Sequence, residues 1–297
     1  MAPISVHSEL LSPNYKDYIE GGLLRRMSKI LRMSVACAKD SLQQAKLDQP
    51  DSIVVGTGLG CLQDTEKFLN TFLTVEGLLP PTSFIQSTHN TIAGQISLSI
   101  GNHGYNMTHT QNTLSFEHAL IDTELLLQES DYQVLVGAAD EHIDFLDQVK
   151  TELDLVLPVA LTSGASFFVA TRDRGDAARG QIVGIEAFGM VENIHDRIGS
   201  FLDEHKISAT SLDLVLFAGA DIAVCETVLA SLTQAGVRED QILDYLSYSG
   251  IYPTSSAFAL HLALDQFKLN TSYRYILVCN CLNRNNLGLI LVESVEA

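Results

Sequence analysis

Hydrophobic positions along this chain follow two spacings, one typical of amphipathic helices and the other of buried strands. Apolar residues recur every three or four positions between residues 23 and 45, which predicts a helix over 23–45. The short apolar run 52–56 ends in glycine and predicts a buried strand. Ser115 is the predicted N-terminal cap of a further helix. The other predicted elements of the first half are helices over 64–73, 90–100 and 115–128, and strands over 106–110, 132–139 and 165–171.

The second half of the chain repeats this order of elements. Both halves place a long apolar helix before a buried strand and a returning strand, which indicates an internal duplication. Strands that alternate with helices predict an α/β fold with mostly parallel sheets, and the returning strand makes each sheet mixed. Because no linker separates the halves, we expect residues 1–175 and 176–297 to share one core. The predicted elements of the second half are strands over 181–190, 212–220, 273–282 and 288–293, and helices over 196–204, 222–234 and 254–267.

Composition excludes several classes of function. The 297 residues are 46% hydrophobic, enough for a sizeable core, and carry a formal net charge of −18. A chain this acidic lacks the electropositive surface of a nucleic-acid binder, and anionic membranes should repel it. No apolar run approaches the roughly 20 residues that span a bilayer, and the first residues lack a secretion-signal pattern. We therefore expect a soluble, cytoplasmic protein.

One dense group of positive charges interrupts this acidic background. Arg25, Arg26, Lys29 and Arg32, here called the basic cluster, fall at the start of the first predicted helix. Such a group is either a solvated helix face or a docking surface for an acidic partner. Composition alone leaves both interpretations open.

Glycine, cysteine and histidine patterns predict no cofactor and no metal site. The stretch from Gly56 to Gly60 misses the dinucleotide fingerprint, because the third glycine would fall on Cys61, and it favours a tight turn instead. Cys279 and Cys281 can share one strand face, but the two further ligands that zinc would need are missing. Five histidines and carboxylates of the first half also lack the tight spacing of metal ligands. They are His103, His109, Asp140, Glu141 and His142.

Several ordered motifs resemble those of the β-ketoacyl-acyl-carrier-protein synthases, which are condensing enzymes of the thiolase fold. Arg25-Arg26-Met27-Ser28 resembles the R-R-M-S helix start of that family, and 53–60 resembles its strand into G-T-G-x-G. Residues 89–97 resemble its P-N-x-x-A-G-x-I-S helix, and 119–141 resemble the helix leading to its G-G-x-E strand end. Ser163-Gly-Ala-Ser166 resembles its G-E-G-A turn. The resemblance implies a five-layer αβαβα fold of two duplicated halves with mixed sheets.

The chemistry of that family needs a thiol nucleophile, hydrogen-bond donors for the thioester oxyanion and two histidines. The nucleophile lies at a strand-to-helix junction, where the helix N-terminus favours a thiolate. In this chain the junction falls at 106–115, and the family's cysteine falls on Thr113. A two-residue shift would place Gln111 there instead, and glutamine is what chain-length-factor subunits carry at this position. Either alignment lacks a thiol.

The other catalytic motifs of the family are also altered. Its K-S-x-T-G-H motif aligns with 246–251, so the lysine is Leu246 and the histidine is Ile251. Its first histidine is expected near 216–221, where this sequence has none. Its glycine-rich signature aligns with 281–286 and keeps only Asn286. The resemblance therefore implies a framework without condensing chemistry, and we expect no catalytic residue.

A ketosynthase-like framework without its machinery resembles a chain-length factor, a non-catalytic subunit in fatty acid or polyketide biosynthesis. The most similar group known to us is the short ketosynthase-like proteins of aryl-polyene and flexirubin-type pigment clusters. The fold implies dimerisation through the predicted strand from Asn106 to Thr110, either with an active ketosynthase or with a second copy. The basic cluster is the expected contact for an acyl carrier protein or partner. The residues expected to line an acyl pocket are His109, Gln111, Asn112, Thr113, Phe116 and Asn286.

Three alternatives remain open from the sequence. The chain could be an active acyltransferase or condensing enzyme with altered residues, or a hydrolase with Thr113 as nucleophile and His109 or His118 as base. It could also be a homodimeric acyl-binding scaffold that has no ketosynthase partner.

Overall fold

Two mixed β-sheets with helices on their faces build the part of the chain that the computed structural model describes, residues 11–79, 81–175, 177–219, 221–283 and 286–295. The strands are β1 (Ser52–Gly56), β2 (Tyr105–His109), β3 (Gln133–Asp140), β4 (Gly164–Thr171), β5 (Gln181–Gly189), β6 (Leu214–Gly219), β7 (Ile242–Asp244), β8 (Tyr275–Cys281) and β9 (Asn286–Glu293). The helices are α1 (Gly21–Leu24), α2 (Lys29–Ala45), α3 (Leu62–Thr74), α4 (Pro81–Gln86), α5 (Thr91–Ile100), α6 (Ser115–Glu129), α7 (Asp144–Glu152), α8 (Ile194–Glu204), α9 (Ile222–Gln234), α10 (Leu246–Ser249) and α11 (Ser256–Leu269).

The two sheets share one strand order. The first sheet runs β2-β1-β3-β4, and the second runs β7-β6-β8-β9 with β5 added at its edge. In the first sheet, β1 is parallel to β2 and β3, and β4 returns antiparallel to β3. In the second, β6 is parallel to β7 and β8, and β9 returns antiparallel to β8. This correspondence agrees with the predicted duplication and mixed sheets, while the boundary at residues 175 and 176 stays a prediction.

Alternation of side chains along the central strands produces five layers. Ile53 and Val55 of β1 pack against α2 and α5, whereas Val54 points to the opposite face, towards α6. In the second sheet, Val215 of β6 packs against α8 and α9, and Leu216 points inward to α11. Helices α6 and α11 thus lie between the sheets, while α2 and α5 cover one outer face and α8 and α9 the other. The predicted αβαβα architecture is confirmed.

The prediction of one continuous helix over 23–45 is wrong, because this segment forms two helices, α1 and α2, with a break between them. Ser28 has an extended backbone, with φ −68° and ψ 172°, and its carbonyl accepts the first bond of α2 from Arg32 N at 3.1 Å. The apolar spacing continues through the break because Met27 is itself buried in the outer core. Arg25 and Arg26 therefore lie in a turn, and the other two residues of the basic cluster lie on α2.

Ser115 is the first residue of α6 rather than its cap. The residue at the cap position is Leu114, and the Ser115 hydroxyl instead donates to the Asn112 carbonyl at 2.7 Å. Several short elements, α4, α7, α10 and β7, were not predicted. A few residues used in the sequence arguments lie outside the described residues: Pro80, Asp176, Ala220, Arg284, Asn285, and the ends 1–10 and 296–297.

A buried carboxylate at the end of β3 joins the first half of the chain to the second. Asp140 Oδ1 accepts hydrogen bonds from Thr57 Oγ1 at 3.1 Å and from the backbone N–H groups of Gly58 and Leu59, both at 2.9 Å. Its Oδ2 accepts from Thr254 N at 3.1 Å and Thr254 Oγ1 at 2.7 Å. The glycine-rich loop after β1 and the segment leading into α11 therefore share one acceptor. The loop after β1 can lie this close to the segment before α11 because residue 58 is glycine, whereas a Cβ there would collide with Pro253.

We predict that Asp140→Asn lowers the free energy of unfolding by about 2–4 kcal/mol, because one carboxylate oxygen becomes an N–H donor that faces other donors. Urea denaturation with a matched variant, Asp131→Asn, measures the effect. The Asp131 side chain is 87% exposed, so that variant should change stability by less than about 0.5 kcal/mol. Equal stability of the two variants would contradict the bridging role.

Candidate functional site

Thr113 lies in the short turn between β2 and α6, where the resemblance aligns the family's nucleophile. The turn begins at Asn112, whose φ of 55° is a left-handed conformation that asparagine tolerates better than most residues. The Thr113 hydroxyl accepts a hydrogen bond from Asn286 Nδ2 at 2.9 Å, and its carbonyl accepts one from Asn280 Nδ2 at 2.8 Å. Both amides come from the second sheet, so residues more than 160 positions away fix the orientation of Thr113.

Glu117, one turn further along α6, is fully buried in the same network. Its Oε1 accepts from Asn280 Nδ2 at 2.8 Å, while Oε2 has no hydrogen-bond partner among the described residues. Gly288 leaves room for this carboxyl, because a Cβ at that position would lie 2.5 Å from Oε1. Burial raises the pKa of Glu117 to about 7, although the bond from Asn280 opposes the rise.

Glu117 is not among the site residues predicted from the sequence. The spacing of Glu117 along the sequence indicates that it faces inward, because it lies four residues after Thr113 and three before the buried Leu120. These positions share one helix face. A carboxyl on the inner face of an otherwise apolar helix is unusual, and that position alone could have singled it out.

A cavity of about 660 Å³ opens beside Thr113. Thr113, Ile251 and Leu282 are buried residues of its lining. The structure therefore brings the aligned histidine position together with Thr113, one of the two positions that align with the nucleophile. The outer wall comes from α7 and the segment that follows it, between Leu146 and Leu157. Leu59 and the segment Tyr252–Pro253 complete an apolar lining. Helix α7, absent from the sequence predictions, thus forms much of the cavity.

Four of the expected pocket residues lie elsewhere. His109 is on β2, with Nε2 3.0 Å from Asp122 Oδ2, and its ring stacks on His118 at 6.5 Å between centroids. Phe116 is fully buried in the central layer, 6.0 Å from the Phe168 ring. Gln111 and Asn112 are exposed. Asn286 reaches the cavity only through its hydrogen bond to Thr113.

The basic cluster is largely exposed, and one of its members interacts with a residue of the cavity. Arg25, Arg26 and Lys29 are exposed and Arg32 is half-buried. No carboxylate of the described residues forms an ion pair with any of the four. Burial raises the pKa of the cavity residue Glu141, and the positive charge of Lys29 works against that rise. Lys29 therefore lies within electrostatic range of the cavity residue Glu141.

Possible metal ligands are not grouped in the described part of the chain, where no three His, Cys, Asp or Glu side chains could hold an ion. Cys279 and Cys281 are buried on β8 with their sulfurs 3.9 Å apart. No helix within the described ranges combines the length and the apolar character needed to cross a membrane.

We predict that Glu117→Gln flattens the pH dependence of stability. The pKa of this carboxyl rises from 4.5 to about 7 on folding, so the wild type loses stability as pH rises through that interval. Glutamine keeps the Oε1 acceptor but does not titrate. Relative to wild type, the variant should gain about 3 kcal/mol of unfolding free energy between about pH 4.5 and pH 8.

Urea denaturation at several pH values checks this prediction. Glu124→Gln, an exposed position on the same helix, is the control and should follow the wild-type curve. Parallel curves for Glu117→Gln and wild type would show that the buried carboxyl does not titrate as described.

Similar folds occur among solved ketosynthases. The ishigamide ketosynthase/chain length factor superposes with a TM-score of 0.80 at 15% identity, covering 95% of this chain and 85% of that chain. A type II polyketide synthase acyl-carrier protein in complex with its ketosynthase gives a TM-score of 0.77 at 16% identity, covering 96% and 89%. A β-ketoacyl synthase from Burkholderia phymatum STM815 gives 0.75 at 15% identity, covering 97% and 86%. At these identities the likeness concerns the fold.

Comparison of the sequence with family models identifies the family to which the chain belongs. No curated protein sequence matches this chain. The family model of the β-ketoacyl synthase N-terminal domain, however, matches residues 16–179, more than half of the chain. With its thiolase-like fold and its Thr113 junction, the chain therefore belongs to the β-ketoacyl synthase family.

Proposed function

We propose that this chain is a non-catalytic, chain-length-factor-like subunit of a ketosynthase assembly in fatty acid or polyketide biosynthesis, of the aryl-polyene type. The observation that carries the proposal is the lining of the cavity. Thr113, Ile251 and Leu282 are part of it, and none of them has a thiol to form a thioester or an imidazole. The acyl pocket of the proposed function is this cavity.

The Thr113 hydroxyl is a poor nucleophile in this setting. A threonine needs an adjacent base to attack a thioester, but the described partner of Thr113 Oγ1 is the amide of Asn286, a donor. The one histidine lining the cavity is His142, and its Nε2 lies 2.9 Å from Asp147 Oδ2. His118 and His109 lie outside the lining.

The five cysteines are unsuited to replace the missing nucleophile. None is among the described residues that line the cavity. Burial raises the pKa of the Cys37 thiol to about 11 and also raises the pKa values of Cys61 and Cys225, so the reactive thiolate is disfavoured. Cys279 and Cys281 are fully buried in the outer core of the second sheet.

Partner binding is supported by the edge of the first sheet. β2 pairs only with β1 among the described strands, and its Tyr105 and Met107 are each 40% exposed. An exposed apolar edge strand is a ready template for pairing with another chain. We propose that β2 forms the dimer contact, and that the unpaired basic cluster contacts an acidic carrier protein or partner. The same edge and cavity also suit a homodimeric acyl-binding scaffold.

We predict that the purified chain gains no mass when incubated with an acyl-carrier-protein thioester, because no activated nucleophile faces the cavity. Intact-mass spectrometry measures this, with an active ketosynthase as the positive control. An acyl adduct on Thr113 or on any cysteine would overturn the non-catalytic assignment and favour an active acyltransferase.

We predict that Met107→Lys weakens dimer formation by about ten-fold, or about 1.4 kcal/mol, because a lysine on an edge strand opposes strand pairing. Native mass spectrometry of the chain alone, and co-expressed with a candidate ketosynthase, distinguishes homodimer from heterodimer. Met190→Lys is the matched control, since Met190 is 85% exposed at the end of β5. A wild-type chain that stays monomeric under both conditions contradicts the proposed subunit role.

A further inference from the structure

The cavity beside Thr113 has the size and lining of a small-molecule site. Its volume of about 660 Å³ lies within the range of roughly 300–1,000 Å³ typical of ligand pockets. Most of its lining is aliphatic, including Leu146, Val149, Leu157 and Leu161. Contact with such a wall favours a hydrocarbon chain, because its burial removes apolar surface from water.

Charged groups on the wall disfavour a negatively charged ligand. Glu141 and Asp221 line the cavity against a single ammonium group, that of Lys150. His142 is already 2.9 Å from the carboxylate of Asp147. An anion that entered would lose its hydration and lie close to carboxylates, and both effects are unfavourable. The net charge of −18 adds a long-range repulsion.

The Thr113 hydroxyl, on the cavity lining, is suited to hold an uncharged ligand. Thr113 Oγ1 accepts from Asn286 Nδ2 at 2.9 Å, which fixes the hydroxyl. Its own proton has no acceptor among the hydrogen bonds of the described residues, so it can be donated to a ligand oxygen. Thr162, also on the wall, differs because its hydroxyl already donates to the Ser249 carbonyl at 2.7 Å.

We infer that the cavity binds, without a covalent bond, an uncharged aliphatic molecule that ends in one hydrogen-bond acceptor, and that it discriminates against the corresponding carboxylate. The hydrocarbon occupies the aliphatic wall, and the acceptor oxygen lies against the Thr113 hydroxyl. The inference deepens the proposed function by naming the class of ligand that its acyl pocket binds. Only one part of the inference rests on that function, namely that the ligand is not attached covalently.

Isothermal titration calorimetry of the isolated chain with octan-2-one and with octanoate tests the inference, because the two probes are similar in size and differ in charge. We expect octan-2-one to bind at least about ten-fold more tightly than octanoate. Because Asp221→Asn removes one negative charge from the wall, it should tighten octanoate binding about three-fold or more relative to octan-2-one binding. The amide keeps the oxygen that accepts from Ala223 N and caps α9.

Thr113→Val tests the polar contact. This variant should weaken octan-2-one binding about five-fold to ten-fold, the value of one hydrogen bond. Thr123→Val is the control, because Thr123 is buried on α6, outside the cavity, and its hydroxyl donates to Ala119 O at 2.8 Å. Thermal unfolding of each variant shows whether it is folded during the titration.

Three outcomes would overturn the inference. Octanoate binding as tightly as octan-2-one excludes discrimination by charge, and no binding of either probe to the folded wild type excludes the site. Unchanged ketone affinity in Thr113→Val excludes the Thr113 contact. Each leaves the proposed subunit role intact, because acylation and dimer formation are measured with different experiments.

Discussion

The arrangement of the site depends on one buried carboxylate, that of Asp140. It holds the loop after β1 and the segment before α11 on a single pair of oxygens, so neither segment can shift alone. The same loop packs against the Thr113 turn, since a Cβ at Gly58 would lie 3.2 Å from the Asn112 carbonyl oxygen. The segment before α11 also carries Tyr252 and Pro253 of the cavity wall. The cavity is thus located where the two halves of the chain are joined.

The polar network around Thr113 fits a binding site better than a catalytic site. Asn280 donates to both the Thr113 carbonyl and Glu117, while Asn286 donates to the Thr113 hydroxyl. These bonds orient the threonine but supply no base that could take its proton. A reaction at Thr113 would need such a base. Binding of a ligand needs only an oriented hydrogen-bond donor and an apolar wall. The residues present satisfy the second requirement.

The layers could be predicted from sequence because they depend on local alternation, whereas much of the site could not. Strand β1 carries both its outward Ile53 and its inward Val54 in a continuous apolar run. Helix α7 has no fully buried residue and hence little periodic signal, although it forms the cavity wall. The burial of Glu117 depends on Asn280 and Gly288, which are more than 160 residues away. Neither neighbour can be inferred from the pattern of the helix itself.

The basic cluster and the cavity wall have opposite electrostatic preferences. Four cations without a carboxylate partner in the described structure repel one another, and binding of an acidic surface would relieve that repulsion. The cavity wall, with Glu141 and Asp221, disfavours a small anion. Under the proposed function, an acidic partner contacts the basic cluster while the cavity takes an uncharged chain. Because exposed charges are screened by salt and the burial of hydrocarbon is not, increasing ionic strength should separate these two contributions.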